Sequence, residues 1–158
     1  MIIRIAETRD KGAIWAMLEP VFRAGETYAI DPGISRSDAL DYWLSAHAFV
    51  VDDGGVLGTY YIRQNQAGGG SHVCNCGFIT RAAAEGKGVA RAMLEHALTE
   101  AKRLGFEAMQ FNFVLASNTR AVDIWKRAGF SEIGCQPRAF LHPTLGHVDA
   151  LIMHKFLD

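Results

Sequence analysis

The sequence predicts an α/β fold, a sandwich of helices around a mixed sheet. Three observations lead there. Strand-like runs alternate with stretches of helical period in the order β-α-α-β-β-β-α-β-α-β-β. No internal repeat or long low-complexity linker divides the chain, so residues 1–158 read as one domain. With 49% hydrophobic and 21% charged residues, a chain of this length buries roughly 70% of its unfolded surface, enough for one core without metal or disulfide staples.

Ile2 to Ala6 reads as the first strand. From about Asp10 to Ala24, Ile14, Met17, Leu18, Val21 and Phe22 recur at helical spacing. Pro20 is expected to kink or end that helix, because it has no N–H and its ring crowds the preceding turn. Thr27 to Gly33 reads as a loop, and Ser35 with Asp38 three residues on opens a second helix through Leu44. Phe49-Val50-Val51, the turn Asp52-Asp53-Gly54-Gly55 and the run Val56 to Ile62 give a hairpin signal. Gly68-Gly69-Gly70 reads as a hairpin loop before a strand at Ser71 to Thr80. Gly88 to Leu104 is the clearest helix, with Ala90, Leu94, Ala97, Ala101 and Leu104 in one stripe and Gly105 suited to its end. Ala108 to Leu115 reads as a strand, and Thr119 to Ala128 as a helix stopped by Gly129. Strands near Phe130 to Phe140 and Val148 to Phe156 close the series.

Sixteen basic and seventeen acidic residues leave a formal charge of −1, which argues against a nucleic-acid binder driven by a basic surface. No apolar run approaches the roughly 20 residues of a membrane span. The opening MIIRIAETRDKG returns to charge too early for a secretory signal. Cys74 and Cys76, two apart on one strand face, are badly placed to bridge each other. Neither these cysteines with Cys135 nor the scattered histidines form a set at metal-ligand spacing. A reduced, cytoplasmic setting without a metal is the expectation.

Chemistry concentrates in two segments. Residues 78–91, from Phe78 to Arg91, join a strand to the long amphipathic helix through Glu85-Gly86-Lys87-Gly88. Glycines there let a ligand approach the backbone, and the open N–H groups of a helix start attract phosphate. A glycine-containing turn that binds nothing is the alternative. Walker A and dinucleotide fingerprints both fail on spacing and on the missing Lys-Ser/Thr pair. In the second segment, Asn118 can cap the helix that follows, contact a ligand, or do both. Asn75 and Asn112 stand among apolar neighbours in strands that disfavour asparagine, which points to a site.

The order of elements, the loop Gly86-Lys87-Gly88-Val89-Ala90 and the pattern Asn118-x-x-Ala121-x-x-x-Trp125-x-x-x-Gly129-Phe130 resemble the GNAT superfamily of acetyl-CoA-dependent N-acetyltransferases over nearly the whole chain. The resemblance implies a mostly antiparallel central sheet, helices on both faces, and a splay between the fourth and fifth strands. The pantetheine arm of acetyl-CoA would lie in that splay, paired with the backbone near Phe78 and Thr80. Its pyrophosphate would rest on the N–H groups of residues 86 to 91, with Glu85, Gly86, Lys87, Gly88, Val89, Ala90 and Arg91 around it. Asn118 and Trp125 would complete the cofactor site. A bulge at Gly77 would agree with the splay. A homodimer is a further implication.

Gly58-Thr59-Tyr60-Tyr61, His72-Val73-Cys74-Asn75, Phe111-Asn112-Phe113-Val114 and Gly146-His147-Val148-Asp149-Ala150 are similar to those members that acetylate proline analogues such as azetidine-2-carboxylate. That resemblance assigns Asn75 and Asn112 to the substrate and Asn118 to chemistry near the acetyl group. Two positions depart from the superfamily pattern. Glu85 stands where Gln or Arg is usual, and should repel a diphosphate unless Lys87 and Arg91 compensate. Trp125 stands where many members place a tyrosine that protonates the leaving thiolate. An indole cannot do so, and is expected to pack.

By the same analogy, the Phe78 N–H is the oxyanion donor. Neither strand beside the splay contains Asp or Glu, so deprotonation of the amine is expected through ordered water, with His72 as the alternative base. Tyr28 and the loop around Asp31 would close the acceptor end. A free amino or imino acid is the expected small-molecule acceptor. The other readings are acetylation of a protein N-terminus, a lysine or another small amine, and a non-catalytic acyl-CoA-binding module.

Overall fold

The computed structural model describes residues 1–158. Strand β1 (Ile2–Ile5) pairs antiparallel with β2 (His47–Asp52), which pairs with β3 (Val56–Gln64), which pairs with β4 (Val73–Thr80). Between β1 and β2 lie α1 (Lys11–Ala24) and α2 (Arg36–Leu44). Helix α3 (Val89–Arg103) carries the chain from β4 to β5 (Ala108–Leu115), and α4 (Thr119–Arg127) precedes the hairpin of β6 (Ser131–His142) and β7 (Gly146–Phe156). The seven strands form one sheet in the order β1-β2-β3-β4-β5-β7-β6. Every neighbouring pair is antiparallel except β4 and β5.

Alternation along the strands sorts side chains onto two cores. On one face Tyr60, Cys74, Cys76 and Phe111 bury against Met93, Leu94, Ala97 and Ala101 of α3. On the other, Val50, Tyr61 and Ile79 bury against Ile14, Leu18 and Phe22 of α1 and Trp43 of α2.

Two expectations need correction. Pro20 neither ends nor divides α1, which runs on to Ala24 and stops at Gly25 with φ +62°. The buried row Ile14, Met17, Leu18 and Phe22 spans the proline and holds both halves to the sheet, while Pro20 faces solvent. Gly77 carries no bulge either. The β3–β4 register is unbroken, with Gly77 opposite Tyr61. The glycine is required by close approach instead, because a Cβ there would lie 2.5 Å from Cε2 of Tyr61. The irregularity sits in β5, where the register against β7 shifts between Phe111 and Val114.

Candidate active site

Strands β4 and β5 start side by side and then part. Their registered pairs are Val73–Ala108 and Cys74–Met109, with none beyond. Past that point the side chain of Asn75 spans the gap, its Nδ2 donating to the Gln110 carbonyl at 2.9 Å. The gap opens into a cleft of about 650 Å³ that runs from the turn before α3 to the rings of Tyr42 and Tyr61.

At one end, Gly86 and Gly88 take φ of +78° and +80°, which turns the chain sharply into α3. The N–H groups of Gly88, Val89, Ala90 and Arg91 find no acceptor in the protein; the first helical bond is Ala92 to the Gly88 carbonyl. Four free amides converging at a helix start form a ready anion site. Glu85 lines this end, so the expected negative charge is present. Its expected compensation differs: Lys87 does not line the cleft, and Arg91 is engaged by Glu95 at 3.0 Å. Arg120 of α4 lines the cleft as well, a cation the sequence reading missed.

In the middle, Phe78 and Thr80 turn their main-chain groups toward the gap, since their register partners lie on the β3 side in a non-bonded phase. The Phe78 N–H is not free. It donates to the Tyr28 hydroxyl at 3.1 Å, and that hydroxyl donates to the Phe78 carbonyl at 3.1 Å. Tyr28, expected at the acceptor end, therefore reaches the centre of β4. It is wedged against Phe22 and Trp43, with ring centroids 5.6 and 6.3 Å away. Burial raises its hydroxyl above the ordinary tyrosine value and keeps the proton on. Trp125 packs as expected, with centroids 4.5 Å from Phe111 and 5.4 Å from Phe78, walling the cleft from α4. Asn118 caps α4, its Oδ1 accepting from Ala121 N at 3.3 Å, and it lines the cleft too.

On the α1–α2 side lie Asn75, Asn112, Tyr42 and Tyr61. The Tyr42 and Tyr61 hydroxyls are 3.1 Å apart. Asn112 is exposed rather than enclosed, and donates to Asn65 Oδ1 at 2.6 Å. His72 is not part of this assembly. It is exposed just before β4, roughly 20 Å along the strand from Phe78 at about 3.3 Å per residue. That distance removes it as a base or substrate contact. Tyr42 and Arg120 carried no signal of their own in the sequence, since tyrosine and arginine are ordinary on helices, and Tyr61 stood there only within the run Gly58-Thr59-Tyr60-Tyr61.

A model of the acetyltransferase (GNAT) family matches residues 13–130. The N-acetyltransferase aca1 of Schizosaccharomyces pombe is 30% identical over 148 residues, spanning 81% of this chain and 71% of that protein. A GCN5-related N-acetyltransferase from Kribbella flavida is 41% identical and superposes with a TM-score of 0.93, covering 98% of this chain and 96% of its own. A phosphinothricin acetyltransferase from Sinorhizobium meliloti, solved in complex with acetyl-CoA, shares the fold at 18% identity and a TM-score of 0.86, over 98% of this chain and 87% of that one. The parted sheet, the free amides at its mouth and these relatives together define an acetyl-CoA-dependent N-acetyltransferase. The chain belongs to the acetyltransferase (GNAT) family.

Proposed function

We propose that this chain transfers the acetyl group of acetyl-CoA to the amine of a free amino or imino acid, proline analogues such as azetidine-2-carboxylate included. The supporting observation is the pair of amides, Asn75 and Asn112, on the α1–α2 side of a gap whose opposite end offers open N–H groups to a phosphate. Acetyl-CoA supplies the activated thioester. The open amides of residues 88 to 91 fit its pyrophosphate, and Thr80, joined by Phe78 once Tyr28 releases its main-chain groups, can pair with its pantetheine arm. Trp125 and Phe111 give that arm an apolar wall.

The Phe78 N–H then donates to the oxygen of the attacked carbonyl, which requires Tyr28 to release it. A donor of this kind is worth roughly 2.7–4 kcal/mol in comparable sites. Among the residues lining the cleft, the carboxylate is Glu85, at the phosphate end. The amine therefore loses its proton to water held by Asn75, Asn112 or backbone carbonyls, and Asn118 steadies the departing sulfur through its free Nδ2. Rate against pH should follow the ionisation of the acceptor amine.

A thiol-release assay with acetyl-CoA and a panel of amines tests this reading. Turnover is expected with azetidine-2-carboxylate or another amino or imino acid. Turnover confined to peptide N-termini, lysine side chains or polyamines would replace the acceptor class. Tight acetyl-CoA binding with no turnover would favour a binding module. The three free cysteines, Cys74, Cys76 and Cys135, support a reducing, cytoplasmic setting. Homodimerisation has support in β6, an edge strand that leaves Ile133 and Leu141 57% and 66% exposed.

A further inference from the structure

Arg63 belongs to the α1–α2 side of the sheet, two residues from Tyr61 on β3 and in register with Asn75 on β4. Its guanidinium carbon lies 4.1 Å from the ring centroid of Tyr61 and 4.4 Å from that of Tyr42. Nη2 donates to the Tyr42 carbonyl at 2.6 Å. Nε is buried and has no hydrogen-bond partner. No carboxylate lies within ion-pair distance, as is also the case for Arg36, Arg81, Arg120 and Arg138 but not for the other six arginines. Two aromatic rings thus hold a cation in place while most of its donors go unused. A buried donor left unpaired is costly, and Arg63, though not itself a lining residue of the cleft, stacks on Tyr42 and Tyr61, which are.

We propose that Arg63 reads a carboxylate on the acceptor, which narrows the substrate to an amine bearing a carboxylate on the adjacent carbon. The proposal rests on the amino- or imino-acid reading above. A guanidinium presents a planar fork that a carboxylate matches with two hydrogen bonds. Asn75, beside it, adds an amide donor without charge. The surroundings select the same chemistry. Tyr42, Tyr61, Asn75 and Asn112 place no acid on this side of the cleft, whose one lining carboxylate, Glu85, lies at the far end. A polyamine or a lysine side chain would bring a second cation toward Arg63 with nothing to neutralise it. A carboxylate would be drawn in and oriented, leaving the amine on the neighbouring carbon turned toward Phe78. Arg63 is here a binding residue and takes no part in proton transfer.

The test compares azetidine-2-carboxylate, its carboxamide and unsubstituted azetidine as acceptors in the wild type, Arg63→Gln and Arg63→Lys. The expected result is a fall in kcat/KM of about 100-fold for the carboxylate in Arg63→Gln, mostly through KM, with less than about threefold change for the carboxamide and azetidine. Arg63→Lys should recover part of the carboxylate preference, as a point charge without the fork. The KM for acetyl-CoA should not move. A structural role for the stacked guanidinium would lower all three acceptors together, and that result overturns the proposal. So does an unchanged carboxylate-to-carboxamide ratio in Arg63→Gln when the wild type is active on amino acids. A wild type that ignores every carboxylate-bearing amine but acetylates peptides or polyamines overturns this proposal and the acceptor reading together, so the two failures are told apart.

Discussion

The hydroxyl of Tyr28 stands between the two main-chain groups of Phe78 and satisfies both, so the N–H proposed as the oxyanion donor is spent on a side chain. Acetyl-CoA has to displace that hydroxyl to use the N–H. Tyr28→Phe should therefore lose about 1 kcal/mol of stability, by leaving Phe78 to water. It should also bind acetyl-CoA severalfold more tightly. Thermal melts and calorimetric titration read the two effects, and weaker binding would show that the tyrosine contacts the cosubstrate instead of competing with it. Asn75 and Asn112 were legible in the sequence because an amide inside an apolar strand is an anomaly that asks for a partner. Tyr28 drew notice without its role, since only the fold shows a loop residue reaching the centre of β4. Tyr42 and Arg63 were invisible, and Tyr61 stood only within a run that carried the resemblance, because their meaning lies in one another's positions across α2 and β3. His72 misled by residue type, its imidazole chemistry being right and its place along the strand wrong.

At the scale of elements, the turn into α3 and the cap of α4 frame the ends of the cleft proposed for the phosphate and the sulfur. Asn118 serves α4 through Oδ1 and leaves Nδ2 to the cleft. Asn118→Ala should cost about 1 kcal/mol of stability as a lost cap. Asn118→Ser, which keeps an N-cap oxygen, should restore stability but not turnover, as melts and initial rates on the same samples would show. Normal turnover in both variants would reduce Asn118 to a cap. The helices were readable because their apolar rows repeat every three or four residues, and the strands because their runs end at glycine turns. The proline in α1 and the glycine in β4 were read by local rules that tertiary packing overrides. Buried contacts on both sides of Pro20 carry the helix across it, and the ring of Tyr61 imposes Gly77 without a bulge.

For the molecule as a whole, acid should weaken the fold in two stages. Burial holds the His96 imidazole below its ordinary value, and its Nδ1 lies 2.6 Å from the Tyr60 hydroxyl. The unfolded chain then takes up a proton first, so stability held at neutral pH declines once pH drops below about 6.5. The Arg4 guanidinium, hydrogen-bonded to Asp10 at 2.8 and 2.9 Å, holds that carboxylate below its usual range. Its contribution is intact above about pH 4 and is lost as pH falls through the depressed value. Melting temperature against pH should show both limbs. His96→Gln should flatten the first and Asp10→Asn the second; a first limb that survives in His96→Gln would assign it elsewhere. The sheet itself has one seam, since only two registered pairs join the sub-sheet β1–β4 to the sub-sheet β5–β7–β6. A long guest with amides along its length, laid in that seam, becomes in effect an eighth strand. On the proposed reading the cosubstrate is then a structural member as well as a reagent, bridging the line where the sheet has fewest bonds.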